Sequence, residues 1–329
     1  MIIDCHHHWI PQQIAENAER FMRKGNRVER QGSVVNVYKD GVHVGPIFRE
    51  ESWDVSKQIA HMDAAGVDIA VLHLNIWPEW LTPESASVIN DSMASVVESH
   101  PDRFVGLAHV HPTQKGAIEE ARRAIRELGL KGIGIVSNID GIPLDAEVLW
   151  PLYEVANEHG VPVVVHPASM PFEHSMLKEY NLARSIGRVH DVMLATTRLM
   201  VSGCLANFPD LRFVMPHLGG AFFAVKNRLS TRYYEGGAHP FDRYIDQFYF
   251  DTAPALWGEP ELRCAVEVLG PERIVFGSDY PLSLDFMADA VALVDSIQAP
   301  TAAKGLITWG NAASLFGVQP PSGALDRRT

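Results

Sequence analysis

Cysteine is scarce in this chain. Its 329 residues include three, Cys5, Cys204 and Cys264, set far apart. Scattered thiols exclude a disulfide-stapled secreted module and read as reduced side chains in a cytoplasmic protein. Long hydrophobic runs are missing too. No apolar stretch reaches the ~18 residues of a membrane span, and Met1 leads directly into Ile2-Ile3-Asp4 with no basic segment or signal-peptide core. A membrane partner is therefore not expected. Positive charge is in deficit, with 28 Lys and Arg against 40 Asp and Glu, a net charge of −12. That balance, with no basic stripe, argues against a nucleic-acid partner. Composition is otherwise globular, at 47% hydrophobic and 21% charged residues.

Short apolar runs alternate with helical patterns along the chain. The runs are Ile2 to Cys5, Asp68 to Leu72, Arg103 to Ala108, Gly132 to Val136, Val161 to Val165, Leu211 to Met215, Gln247 to Asp251 and Arg273 to Gly277. Between them, Ile118, Ala121, Ile125 and Leu128 fall at helical spacing, as do Leu149, Leu152, Val155 and Ala156. Strands alternating with helices mean parallel βαβ units, and this many predict an α/β fold, a (β/α)8 TIM barrel. An open doubly wound sheet is the alternative. No GxGxxG follows any of the runs, which weakens its dinucleotide-binding form. Residues 1–317 form one barrel domain in this reading. Residues 12–52 form a small β insertion after the first strand, where Val37 to Val44 carries Asp40-Gly41 as a hairpin turn. Residues 167–190 read as a pocket-covering loop, and 318–329 as a C-terminal tail.

The chemistry gathers at strand ends. Alternating residues of a strand share a face, so in Asp4-Cys5-His6-His7-His8 both His6 and His8 can point inward while His7 points outward. Two imidazoles on one face suit a divalent metal. His166 ends the fifth run, His217 follows the sixth and Asp279 follows the eighth. Each taken alone reads equally well as a polar group anchoring a loop. Together they mark the edge of a barrel at which catalytic residues collect. His73 and His111, after the second and third runs, are more ordinary local hydrogen bonders. Among aromatic residues, Trp9 is the best placed to line a flat apolar pocket, since it directly follows the histidine motif. Trp77, Trp80, Phe172, Phe222 and Phe223 are more often core or interface residues.

These residues carry a family resemblance. Asp4-Cys5-His6-His7-His8, Phe48-Arg49, Trp53-Asp54, Asp102 to Gly106, Val164-Val165-His166-Pro167, His217-Leu218-Gly219-Gly220-Ala221-Phe222, Gly277-Ser278-Asp279-Tyr280-Pro281 and Gly310-Asn311-Ala312 span nearly the whole sequence. They resemble the amidohydrolase superfamily, in particular its 2-amino-3-carboxymuconate-6-semialdehyde decarboxylase-like branch. The resemblance implies that His6, His8, His166 and Asp279 hold one divalent ion, Zn²⁺ first and Mn²⁺, Co²⁺ or Fe²⁺ as alternatives. It places His217 beside the metal-bound water as the base, and gives Asp279 a part in proton movement. It implies that Arg49 and Arg228 bind the substrate carboxylate, Arg228 reaching in from a neighbouring subunit, so a homodimer or a dimer-based tetramer is expected. Two-metal relatives bridge their ions with a modified lysine at the end of strand four. Here Lys131 stands at the beginning of that strand, so a single ion is expected.

Two enzymatic readings remain open at this point. One is a metal-dependent decarboxylase, without organic cofactor, of a small unsaturated or aromatic carboxylic acid. The other is a metal-dependent hydrolase or hydratase acting on a lactone, an amide or an activated C–C or C–N bond. A barrel that kept its fold and lost catalysis is a third class, disfavoured by the intact set of candidate ligands.

Overall fold

We describe the chain from a computed structural model, which covers residues 1–21, 26–31, 34–39, 42–74, 81–169, 171, 175–177, 179–234, 241–254 and 256–319. The chain begins with β1 (Ile3–Trp9). Where the sequence predicts an insertion, β2 (Asn26–Gln31), β3 (Val34–Lys39) and β4 (Val42–Phe48) form an antiparallel sheet. The predicted Asp40-Gly41 turn lies outside the described residues. Next come β5 (Ile69–Leu74), β6 (Phe104–Gly106), β7 (Ala108–His109) and β8 (Ile133–Val136). A minor hairpin of β9 (Asn138–Ile139) and β10 (Ile142–Pro143) precedes β11 (Val163–His166), β12 (Phe213–Met215), β13 (Phe248–Asp251) and β14 (Ile274–Val275).

The main sheet is parallel and forms two ladders, β1-β5-β6 and β7-β8-β11-β12-β13-β14. They are joined through the chain itself. The predicted third strand is broken at Leu107, so its first half (β6) pairs with β5 and its second half (β7) with β8. At the far edges, Cys5 N donates to Phe276 O at 2.8 Å, His8 N to Tyr280 O at 2.7 Å and Asp279 N to His6 O at 2.8 Å. Helices separate the parallel strands, among them Val55–Ala65, Pro83–Ser99, Ala117–Arg126, Trp150–His159, Arg188–Val201 and Glu259–Leu269. Local chemistry sets their ends. Asp54 accepts from Lys57 N to open the first of these, and Gly66, at φ 74°, closes it. No helix among the described residues is long and apolar enough to cross a membrane.

Period-two alternation sorts each strand between two cores. Ala70, Leu72, Ile133, Ile135, Phe213, Phe248 and Phe250 pack towards the helices. Ile3, Cys5, Ile69, Val71, Val105, Leu107, Val164, Val214 and Val275 form an inner core, closed by Phe316 of the last helix. Two residues beyond this apolar layer, the inward positions become polar. Val71 is followed by His73, Leu107 by His109, and Val164 by His166. β1 reaches the same level by a bulge: Asp4 pairs with Ala70 but His7 with Leu72, so one extra residue turns the strand. Ile3 and Cys5 therefore belong to the inner core while His6 and His8 also face inward.

Candidate metal and active site

The structure brings His6, His8, His166 and Asp279 together, with one donor atom from each lying within 4.8 Å of the others. The ring nitrogens facing away from the cluster show which atoms point into it. His6 Nδ1 lies 2.8 Å from Asp251 Oδ2, His8 Nδ1 3.2 Å from Leu74 O and His166 Nδ1 2.8 Å from Pro167 O. A carboxylate and two carbonyls can only accept, so each Nδ1 carries a proton and each Nε2 is the atom turned to the cluster. His6 Nε2 is buried and makes no hydrogen bond. His8 Nε2 and Asp279 Oδ1 stand 3.0 Å apart, two electron-rich atoms whose closeness calls for a cation.

Ring geometry fits a metal. Tetrahedral coordination with metal–nitrogen bonds of about 2.1 Å sets imidazole centroids roughly 5 Å apart. The three pairs of rings stand 5.1, 5.3 and 4.9 Å apart at 85°, 60° and 77°. Electrostatics divide the three rings. Burial disfavours charge on His8 and His166 and pushes both below the usual imidazole range. Burial acts on His6 in the same sense, but Asp251, then Asp279 and Asp4, outweigh it and raise it to about 9. Asp279 is itself lowered to about 2: burial opposes this, and the close approach of His8 with the positive charge of His6 overcomes it. His8 and His166 are held neutral, while His6 must give up its Nε2 proton to an incoming cation; the three imidazoles and the ionised carboxylate then make a donor set suited to one borderline divalent ion.

Asp251 is a residue the sequence reading passed over. It closes the seventh predicted strand, the same edge position that picked out His166. Oδ2 accepts from His6, and Oδ1 accepts from the backbone of His217 at 2.8 Å and of Ala253 at 3.1 Å. One buried carboxylate thus orients a candidate ligand and the candidate base together.

His217 opens a left-handed turn. His217, Leu218, Gly219, Gly220 and Ala221 have φ of 55°, 51°, 65°, 67° and 63°. Three of these are not glycine, so backbone strain is held at the site. Glycine is required at the other two. A Cβ on Gly219 would lie 2.8 Å from the Phe250 ring, and one on Gly220 would lie 2.1 Å from Val189 O. The turn stacks the His217 ring on His6, at 5.6 Å and 15°. Its Nε2 is buried without a hydrogen-bond partner. Burial, with His6 next, lowers His217 to about 4, so the imidazole is neutral at physiological pH.

The remaining candidates fall in different places. Arg49 precedes the short helix Glu50–Ser52, near enough to Tyr280 for its charge to lower that phenol against the stronger effect of burial. Tyr280 itself packs on the outward-facing His7 at 4.9 Å and its hydroxyl pairs with His61 Nδ1 at 2.7 Å, so this neighbourhood is on the helix side of β1 and not among the inward histidines. Arg228 is exposed on helix Lys226–Tyr234 and is not among the residues gathered around His6. Trp9 is buried on the outward side of β1. It lines a surface cavity with Gln12, Glu16, Trp53 and Asp91, away from the inward histidines. His7 also points outward, to Asp4 and Gln58. His111 is held by Asp140 and Thr113. Phe222 and Phe223 are core residues. Trp77, Trp80 and Phe172 lie outside the described residues. His73 and His109 are fully inside, with ring centroids 5.0 Å apart.

The family profile described as Amidohydrolase matches residues 3–318. The chain is 30% identical over 296 residues to 2-amino-3-carboxymuconate-6-semialdehyde decarboxylase of Dictyostelium discoideum, covering 84% of this chain and 81% of that one. It is 26% identical to the gamma-resorcylate decarboxylase of Polaromonas sp., covering 82% and 90%. Among solved structures, the 5-carboxyvanillate decarboxylase of Novosphingobium aromaticivorans, complexed with manganese and 4-hydroxy-3-methoxy-5-nitrobenzoic acid, superposes with a TM-score of 0.79. Identity is 24%, and 96% of each chain is covered.

Proposed function

The chain belongs to the amidohydrolase family, in the branch of the 2-amino-3-carboxymuconate-6-semialdehyde decarboxylases, and we propose that it is a metal-dependent decarboxylase of a small unsaturated or aromatic carboxylic acid. The observation that carries this reading is the convergence of His6, His8, His166 and Asp279 within 4.8 Å, beside the unpartnered Nε2 of His217. In the same reading the two parallel ladders are a closed (β/α)8 barrel and the protein is cytoplasmic.

His6, His8, His166 and Asp279 would hold one ion, with Zn²⁺ our first choice and Mn²⁺, Co²⁺ or Fe²⁺ compatible with the same donors. When bound, such an ion supplies Lewis acidity. The protein supplies the rest. Loss of CO₂ leaves an electron pair on carbon, which a conjugated substrate spreads and a proton then quenches. His217, neutral and held through its backbone by Asp251, is placed to carry that proton at Nε2. Asp279 joins it in moving protons. Arg49 binds the leaving carboxylate by its planar fork. Arg228, exposed on the helix Lys226–Tyr234, would serve the site of a second subunit. No organic cofactor is invoked.

The test is CO₂ release by metal-loaded protein across a panel of aromatic and muconate-type acids. Release that chelation abolishes and Zn²⁺ restores is the expected result. No release from folded, metal-replete protein would overturn the reading, and turnover of a lactone or amide instead would move it to hydrolysis.

A further inference from the structure

His73 has no part in the site as derived so far, although it lies inside it. It stands two residues beyond Val71 on β5 and is 2% exposed. Its ring lies 5.5 Å from His166, 6.0 Å from His8 and 6.5 Å from His6. Those separations exceed the 4.9–5.3 Å among the three candidate ligands, so His73 stands just outside their cradle.

The ring is oriented by main chain. Its Nδ1 lies 3.5 Å from Leu74 O, the carbonyl that also takes His8 Nδ1 at 3.2 Å. Leu74 N donates to His109 Nε2 at 3.2 Å. His109 is fixed in turn by Asn90, which accepts from its backbone N–H at 2.8 Å and donates to its carbonyl at 3.2 Å. Gly134 makes space for that ring, since a Cβ there would lie 2.3 Å from His109 Nε2. With Nδ1 turned to a carbonyl, His73 Nε2 is a lone-pair acceptor, buried and with no hydrogen-bond partner. The neighbouring imidazoles His8 and His166 have their own Nδ1 protons committed elsewhere, so neither donates to it. A buried acceptor without a donor is costly, and a bound ligand can relieve that cost.

We infer that His73 Nε2 accepts a hydrogen bond from a hydroxyl or amine of the substrate, making His73 a specificity-determining contact. This rests on the active-site reading above and adds to it a requirement: the acid carries a donor group on the side of the second strand. His217, from the sixth strand, and His73, from the second, both lie near-parallel to the His6 ring, at 15° and 25°. One imidazole handles the reacting carbon and the other reads a substituent. Sites built around a buried acceptor discriminate strongly against ligands that leave it empty.

The experiment is calorimetric binding of benzoate and the three monohydroxybenzoates to metal-loaded protein. At least one hydroxy isomer should bind about tenfold or more tightly than benzoate. His73→Asn keeps a donor towards Leu74 O and lacks the Nε2 position. It should erase that preference while benzoate affinity and metal content stay unchanged. His73→Gln, which can return an acceptor near that position, should restore part of it. The inference falls if no isomer is preferred, if the preference survives in His73→Asn, if all four acids weaken equally, or if metal is lost. Hydroxy-acid preference without CO₂ release would instead overturn the decarboxylase reading and leave His73 in its role.

Discussion

Asp251 shows how much one carboxylate can arrange. It accepts from His6 Nδ1 and from two backbone amides, so both of its oxygens are engaged. Asp251→Asn offers one acceptor oxygen where two are engaged, and removes the charge that steadies His6. Partners of this kind typically hold 10–100-fold in metal affinity. We expect Asp251→Asn to weaken metal binding by about that factor, read by chelator competition on protein of unchanged circular dichroism. An unchanged affinity would mean that Asp251 only braces the strand. Much at this scale was legible in sequence. Alternation alone paired His6 with His8, and the strand-edge rule reached His166, His217 and Asp279. The same rule applied to Asp251 and His109, but an acid or imidazole at a strand end does not announce what it will touch. Trp9 illustrates the converse: adjacency to the motif says nothing about which side of a strand a side chain takes.

Among the elements, the turn His217–Ala221 carries the most strain. Its two glycines are visible in sequence, but the left-handed backbone of His217, Leu218 and Ala221 is imposed by packing against Phe250 and the helix Arg188–Val201. No local pattern predicts it, because these residues avoid that conformation by themselves. Gly220→Ala should therefore cost about 3 kcal/mol or more, from backbone overlap added to the strained φ. Gly141→Ala, also at positive φ but with nothing within 4 Å of the added methyl, should cost only about 1 kcal/mol. Denaturant midpoints would measure both. Equal losses would show that the close approach to Val189 is relieved by a small backbone shift. The break at Leu107 is another feature hidden from sequence. The run from Arg103 to Ala108 reads as one strand, while its neighbours on each side divide it.

For the whole molecule, the position of Arg228 decides whether one chain makes a complete site. Met176 and Tyr180 lie on the connection after β11, Leu256 after β13 and Leu282 after β14, and all are exposed at 72%, 86%, 74% and 49%. These connections leave the strand ends that hold the site, so apolar surface surrounds the same face as Arg228's proposed target. If subunits exchange that arginine, Arg228→Ala and His166→Ala are each inactive alone. Mixed, they should regain about a quarter of wild-type activity, because half of random dimers are mixed and each of these holds one intact site. No recovery in mixed dimers verified by mass would show that Arg228 acts elsewhere.

The backbone of Leu74 has a consequence of another kind. Its carbonyl receives two imidazoles and its amide serves a third, while its own side chain simply packs in the outer core. A survey by alanine replacement would register Leu74 as filler, since alanine keeps the same amide and carbonyl. An amide-to-ester exchange there, by chemical ligation, would remove the N–H that steadies His109 and leave every side chain in place. Part of what distinguishes this pocket is therefore encoded in atoms that every residue type except proline shares, where comparison of side chains has nothing to compare.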